Sequence, residues 1–270
     1  MDEPLPSFFE GRDDSKHFHQ VIALHEKPSM DWDAVSTLVP TLPRGWYELS
    51  QLPVEDRIEF TYSFWQSKLL FSPAVESKVE KCLEDFFSTL EDVGIFVAQV
   101  KKDGPFDVHM VYSLKDEAGY FQGYPPASIE TIASFAKRLS HVNFPLDYLA
   151  FMEIHDGFSK YTDTGIIKTK EMVPIYQRLQ RLLSHEFLVR PDGQLINPES
   201  LIPFYESFGL HCYQCFYAEW YPGDEMGNVY FSEPERSISN FLDPDGGEGT
   251  LAFSSFLEWL VFYLEDIWHL

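Results

Sequence analysis

Positive charge is scarce in this chain. Twenty Lys and Arg stand against 43 Asp and Glu in 270 residues, a net charge of −23. A phosphate backbone would repel such a surface, which argues against nucleic-acid binding. Anionic lipid would repel it equally. Cysteine is also rare, since Cys82, Cys212 and Cys215 cannot staple a chain of this length. The longest apolar stretch, residues 253–270, is broken by Glu258, Glu265 and Asp266 and reads too short and too charged for a membrane span. The opening MDEPLPSFFEGRDD lacks the basic-then-apolar order of a secretory signal. There is no GxSxG, no phosphate-binding loop, no dinucleotide glycine fingerprint and no HExxH. These absences predict a cytoplasmic, non-enzymatic protein with no cofactor. Its partner is expected to be a basic protein rather than nucleic acid or membrane.

What the chain does have is rings: 24 Phe, 14 Tyr and 6 Trp. With 44% hydrophobic residues, one full core or two small ones can form. The first thirty residues read as irregular, broken by Pro4, Pro6, Gly11 and Pro28. A helix is expected over 54–69. A second follows from Ser72 and Pro73, with Val75, Val79, Leu83, Phe86 and Leu90 as its stripe and Gly94 as its stop. A hairpin joins 95–100 to 106–112 through Asp103-Gly104. The Gly- and Pro-rich segment 115–127 is the best boundary, dividing an N-terminal extension, 1–118, from a second domain, 119–270. Helices then start at Ser128 and Pro145, and another spans Ile175, Leu179 and Leu182. Strands cover 208–221 and 228–232, and an aromatic helix closes the chain. The fold class predicted is α+β, an antiparallel sheet packed with helices, preceded by an α/β extension.

The stretch GYPPASIETIASFAKRLSHVNFPLDYLAFMEIHDGF resembles the SMI1/KNR4 family in its Phe144-Pro145, Tyr148, Phe151 and Gly157. LIPFYESFG, the aromatic strand after it, GNVYFS and FSSFLEWL resemble that family's sheet and closing helix. The resemblance covers roughly residues 119–270. It implies an α+β domain of the SUKH superfamily, whose members are mostly protein-binding modules. Many bacterial members are immunity proteins that neutralise toxins, and fungal ones regulate cell-wall synthesis and signalling. Residues 1–115 have no counterpart in it.

Charge is segregated within that region. Beyond Arg190 there are fourteen acids and one base, Arg236, whereas residues 160–190 hold six bases against three acids. The plain reading is an acidic surface with a basic helix folded against it. The sharper one is an acidic pole that steers a basic partner. In a strand through 210–221, Leu210, Cys212, Gln214, Phe216, Ala218 and Trp220 share one face and read as core. His211, Tyr213, Cys215, Tyr217, Glu219 and Tyr221 share the other. That second face reads equally as a solvent-facing ledge or as one covered by another helix. As a ledge, with Asp224 and Glu225, it makes Tyr213, Tyr217, Glu219, Tyr221, Asp224 and Glu225 the expected partner-binding residues.

Other constellations are weaker. Cys212 and Cys215 form a CxxC, but on a strand their thiols diverge, so structural cysteines are expected and no metal. His17, His19 and His25 read as solvated. Asp243–Glu248 suggests a calcium loop, yet position six would be Glu248 and position twelve Ser254, so an acidic turn is expected. Glu219 with Asp224 or Glu225, beside Trp220 and Tyr221, would suit a glycosidase-like hydrolase. A chaperone-like factor is a further alternative. In the closing helix Phe256, Leu260 and Leu264 are expected in the core, with Trp259, Phe262 and Tyr263 available for a second contact such as a homo-oligomer.

Overall fold

The computed structural model describes residues 18–27, 29–69, 76–139, 142–160, 163–184, 188–189, 193–207, 211–233, 235, 237–242 and 251–265. These divide into two compact units. One draws on Met1–Ser67 and Glu84–Pro125, the other on Lys68–Leu83 and Pro126–Leu270. The fold is α+β with antiparallel strands.

In the first unit, strands β1 (Gln20–Ala23), β2 (Leu90–Gln99), β3 (Phe106–Leu114) and β4 (Tyr120–Gly123) pair antiparallel in that order. Helices α1 (Trp32–Leu38), α2 (Arg44–Ser50) and α3 (Val54–Leu69) precede α4 (Glu76–Ser88), of which only the part from Glu84 belongs to this unit. The supposedly irregular opening therefore carries a strand, and two short helices follow it. Asp31 starts α1 by accepting the Ala34 N–H at 2.8 Å. On α3, Arg57, Thr61 and Trp65 recur every fourth residue and are all buried. Trp65 packs against Phe86, Phe87 and Tyr112, and its indole N–H donates to the Tyr112 hydroxyl at 3.1 Å.

Three expectations change here. Gly94 does not stop a helix but lies inside β2. A Cβ there would come within 2.7 Å of His25 Cε1 and 2.8 Å of Phe96 Cε2, so glycine makes room for an imidazole. His25 itself is buried rather than solvated. Its Nδ1 accepts the Ile95 N–H at 3.2 Å, and burial lowers its affinity for a proton. Lastly, the boundary segment 115–127 itself holds β4, with Tyr120 and Phe121 buried despite the neighbouring glycines, and the division between the units falls within that segment, after Pro125 rather than after residue 118. Residues 119–125 accordingly fold with the first unit. Ser72, Pro73, His17 and the Asp243–Glu248 loop lie outside the described residues.

In the second unit, strands run in the order β5 (Phe158–Lys160), β6 (Gly165–Ile166), β7 (Leu201–Ser207), β8 (Cys212–Tyr217) and β9 (Asn228–Ser232). Both β10 (Ser237–Ile238) and β11 (Ala252–Phe253) pair with β9. Helices are α5 (Ile129–Arg138), α6 (Leu146–Met152), α7 (Thr169–Leu183) and α8 (Phe256–Glu265). Ser128 caps α5 by accepting the Thr131 N–H at 3.1 Å. Ser255 caps α8 by accepting the Glu258 N–H at 3.2 Å, while the Glu258 carboxylate reaches back to the Ser254 N–H at 2.9 Å.

Both faces of β8 are covered. Phe216 stacks on Phe204 at 4.3 Å and meets Tyr148 of α6 at 5.0 Å. On the same face Phe204 meets Phe256 and Trp259 of α8. The opposite face, with Tyr213, Cys215 and Tyr217, packs with Leu179 and Leu183 of α7, with Leu188 and Ile196, and with Phe241. Within this unit no face of β8 is left for water, which is why its aromatic residues alternate on neither side alone.

Candidate functional site

The residues singled out as a docking ledge separate into two groups. Tyr213 and Tyr217 are 2% and 0% exposed, so the solvent-facing ledge is corrected for both. Each ring is buried in the cluster that α7 covers, and each keeps its hydroxyl partnered, as a buried phenol must. Tyr213 takes a hydrogen bond from Arg178 Nη2 at 2.6 Å and donates to Glu206 at 3.2 Å. Tyr217 donates to Glu219 Oε2 at 3.1 Å. Glu219, Tyr221 and Asp224 are exposed, Tyr221 by 51%, and Glu225 is half-buried. The structure therefore brings four of the six together, on the connection between β8 and β9.

That connection is built on a tryptophan and a glycine. The chain leaves the strand after Tyr217, and the Trp220 N–H donates back to the Tyr217 carbonyl at 2.9 Å. The departure turns Trp220 over to the α7-covered face, where it meets Phe241 at 5.3 Å, rather than the face that strict alternation assigns it. Its ring lies flat against Gly227, where a Cβ would come within 2.4 Å of Trp220 Cε3. The Gly227 N–H donates to the Trp220 carbonyl at 3.0 Å, and the Tyr217 N–H to the Gly227 carbonyl at 2.9 Å. With Trp220 folded inward, Glu219 and Tyr221 on either side of it are carried outward.

Beneath the turn lies a polar base that sequence reasoning missed. Gln214 Nε2 donates to Asn228 Oδ1 at 2.7 Å and to the Leu251 carbonyl at 3.1 Å. Asn228 Nδ2 donates to the Ser255 carbonyl at 2.9 Å, which ties β9 to the start of α8. Asp147 completes the base. One of its oxygens accepts the Tyr148 N–H at 2.8 Å and the other the Leu257 N–H at 3.0 Å, so a single buried carboxylate serves the first turns of α6 and α8. Burial pushes its carboxyl up to about 6 against those helix N–H bonds, and the nearby negative charge of Glu225 adds to the rise. The only sequence signal for this role is an acidic residue two positions after Pro145.

Part of the surrounding acid is engaged internally. Arg178 of α7 pairs with Glu206 at 2.8 Å, so the basic helix does fold against acidic residues. His211 pairs with Glu233 at 2.7 Å. Asp156 accepts the N–H and hydroxyl of Thr169 at 2.7 and 2.8 Å, holding the start of α7. Cys212 and Cys215 are free, buried thiols on β8. Among the described residues no three His, Cys, Asp or Glu gather as a metal site, and no helix is long and apolar enough to cross a membrane. In α8, Phe256, Leu260 and Leu264 are core, as expected. Trp259 and Tyr263 are core as well, stacked on one another at 5.0 Å, so of the three proposed contact residues only Phe262 is exposed.

A comparison with the curated proteins returns no match. The profile of the SMI1 / KNR4 family (SUKH-1) matches residues 126–261, just over half of the chain, beginning where the second compact unit resumes after Pro125. The match takes in α5 to α7, the whole β5–β11 sheet and most of α8, so the chain belongs to the SMI1/KNR4 family of the SUKH group.

Proposed function

We propose that the chain is a non-enzymatic protein-interaction module of the cytoplasm, and that Glu219, Tyr221, Asp224 and Glu225 on the β8–β9 connection dock a basic protein partner. Neutralising a toxin is one form of such docking, and regulatory scaffolding is another. The observation that carries the reading is the Trp220–Gly227 contact. It braces the connection and turns the large apolar ring inward, so that Tyr221 and the carboxylates of Glu219 and Asp224 face out with Glu225 half-buried beside them. A rigid tyrosine contributes contact area with little loss of rotamer freedom. Clustered carboxylates raise the encounter rate with a basic surface and discriminate against acidic ones. The fourteen-to-one excess of acid beyond Arg190 adds to the same field from the chain after the basic helix. Self-association through Phe262 would be a separate property.

Affinity capture from the native cell extract, run side by side with wild type and an Asp224→Lys/Glu225→Lys variant, tests this. The expected result is one stoichiometric basic partner, recovered by wild type and depleted with the variant. Equal recovery by both would remove the connection as the docking site.

A further inference from the structure

The second unit shows twice how it holds a positive charge. On the α7 side of β8, the Arg178 guanidinium lies 5.8 Å from the centre of the Tyr213 ring, with Nη2 2.6 Å from the Tyr213 hydroxyl and 2.8 Å from Glu206 Oε1. A phenol and a carboxylate clasp the cation between them, one through hydrogen bonding and ring, the other through charge. The same two groups recur on the α8 side of the sheet, around Asp163. Tyr263 donates to Asp163 Oδ2 at 3.0 Å, and the Tyr205 hydroxyl is also hydrogen-bonded to that carboxylate. The Tyr205 and Tyr263 rings meet edge-on at 5.4 Å. The Lys160 ammonium sits 4.7 Å from the centre of the Tyr263 ring, and the Lys160 N–H donates to the Tyr263 hydroxyl at 3.0 Å.

A third tyrosine belongs to this group by register. Tyr205 on β7 and Tyr230 on β9 both pair with Gln214, so they flank it on one face of the sheet, about 10 Å apart across two strand spacings. Tyr205, Tyr230, Asp163 and Lys160 are all half-buried, so the group reaches the surface while Tyr263 and Trp259 form its floor. A carboxylate held by phenols selects a cation that can donate hydrogen bonds, which favours an ammonium or guanidinium over a quaternary amine.

We propose that Asp163, walled by Tyr205, Tyr230 and Tyr263, receives a lysine or arginine side chain of the protein partner, with Lys160 as the resident cation that the incoming one displaces from the Tyr263 ring. This rests on the reading of the chain as a module for a basic partner, and it places a second contact away from the β8–β9 connection. Capped tripeptides Gly-Lys-Gly and Gly-Arg-Gly, with Gly-norleucine-Gly as the uncharged control, are titrated into the full chain carrying 13C-labelled tyrosine. The cationic peptides should shift the Tyr205 and Tyr230 ring resonances saturably and the control should not. Asp163→Asn should weaken that binding about tenfold with the other tyrosine resonances in place, and Lys160→Met should strengthen it. Shifts confined to Tyr221, equal binding of the norleucine peptide, or wild-type binding by Asp163→Asn would each overturn the proposal. The Asp224→Lys/Glu225→Lys variant separates the two readings. It should leave the tripeptide shifts at Tyr205 and Tyr230 unchanged while partner capture is lost.

Discussion

Replacing Asp147 with asparagine tests the polar base of the proposed site, and its effect follows from two opposing influences. Helix N-termini of α6 and α8 favour the carboxylate, whereas burial favours the acid, and burial prevails, with the carboxyl titrating at about 6 against 3.8 in an open chain. A raised carboxyl binds its proton more tightly in the native state. The contribution of Asp147 to stability is thus full below pH 3.8 and is lost as pH rises through about 6. At 1.36 kcal/mol for each tenfold change in proton affinity, the total loss is about 3 kcal/mol, roughly half of it above pH 5. That upper half is accessible because it lies above the isoelectric point near 4.6, where solubility is poorest. The amide of the Asp147→Asn variant cannot ionise, so urea midpoints measured by tryptophan fluorescence from pH 5 to 7.5 should show the variant gaining on wild type by about 1.5 kcal/mol. The difference between the two proteins isolates Asp147 from His25, whose lowered affinity for a proton acts in the opposite sense. A wild type that gains on the variant as pH rises would mean that the helix caps outweigh burial, and the reading of Asp147 as a carboxyl raised by burial would fail.

Three further substitutions test other parts of the fold. Gly227→Ala should displace the Trp220 ring and cost about 1–3 kcal/mol, seen as a lower melting temperature with a shifted tryptophan emission; an unchanged melt would mean that the β8–β9 connection is not held by that contact. Tyr148→Phe should be neutral or stabilising by about 1 kcal/mol, because the Tyr148 hydroxyl is buried without a hydrogen-bond partner among the described residues, and a loss of more than that in urea denaturation would count against it. Gly94→Ala should destabilise the first unit by about 1–3 kcal/mol in the wild-type background and by less beside His25→Ala, where only the Phe96 ring still stands in the way, a coupling that a double-mutant cycle reads directly and whose absence would refute the packing argument against His25.

The longer elements were legible in the sequence where periodicity and punctuation agreed. Residues 54–69 and 228–232 form the helix and strand expected of them, and Ser128 caps the helix it announces. The two seven-residue helices α1 and α2 escaped notice because two turns hold too few apolar positions to show a period. Gly94 misled because a glycine marks both the end of a helix and a close approach within a strand, and only the distant His25 decides between them. Alternation along β8 sorted Tyr213 and Tyr217 correctly from Phe216 but could not say which face α7 covers, since that helix lies about thirty residues upstream. Of the site, the exposed acids and Tyr221 were legible as charge and aromatic pattern. The Gln214–Asn228–Ser255 and Asp147–Leu257 links were not, because single polar residues with distant partners leave no local signature.

The central claim is that carboxylates on the β8–β9 connection steer a basic polypeptide onto this domain. Stopped-flow association of the captured partner with wild type and with Asp224→Lys/Glu225→Lys, at low salt and again near ~0.15 M, tests it most directly. The account predicts an association rate that falls at least several-fold in the variant at low salt, with the gap closing as ions screen the field. The same rate for both proteins at low salt would contradict it.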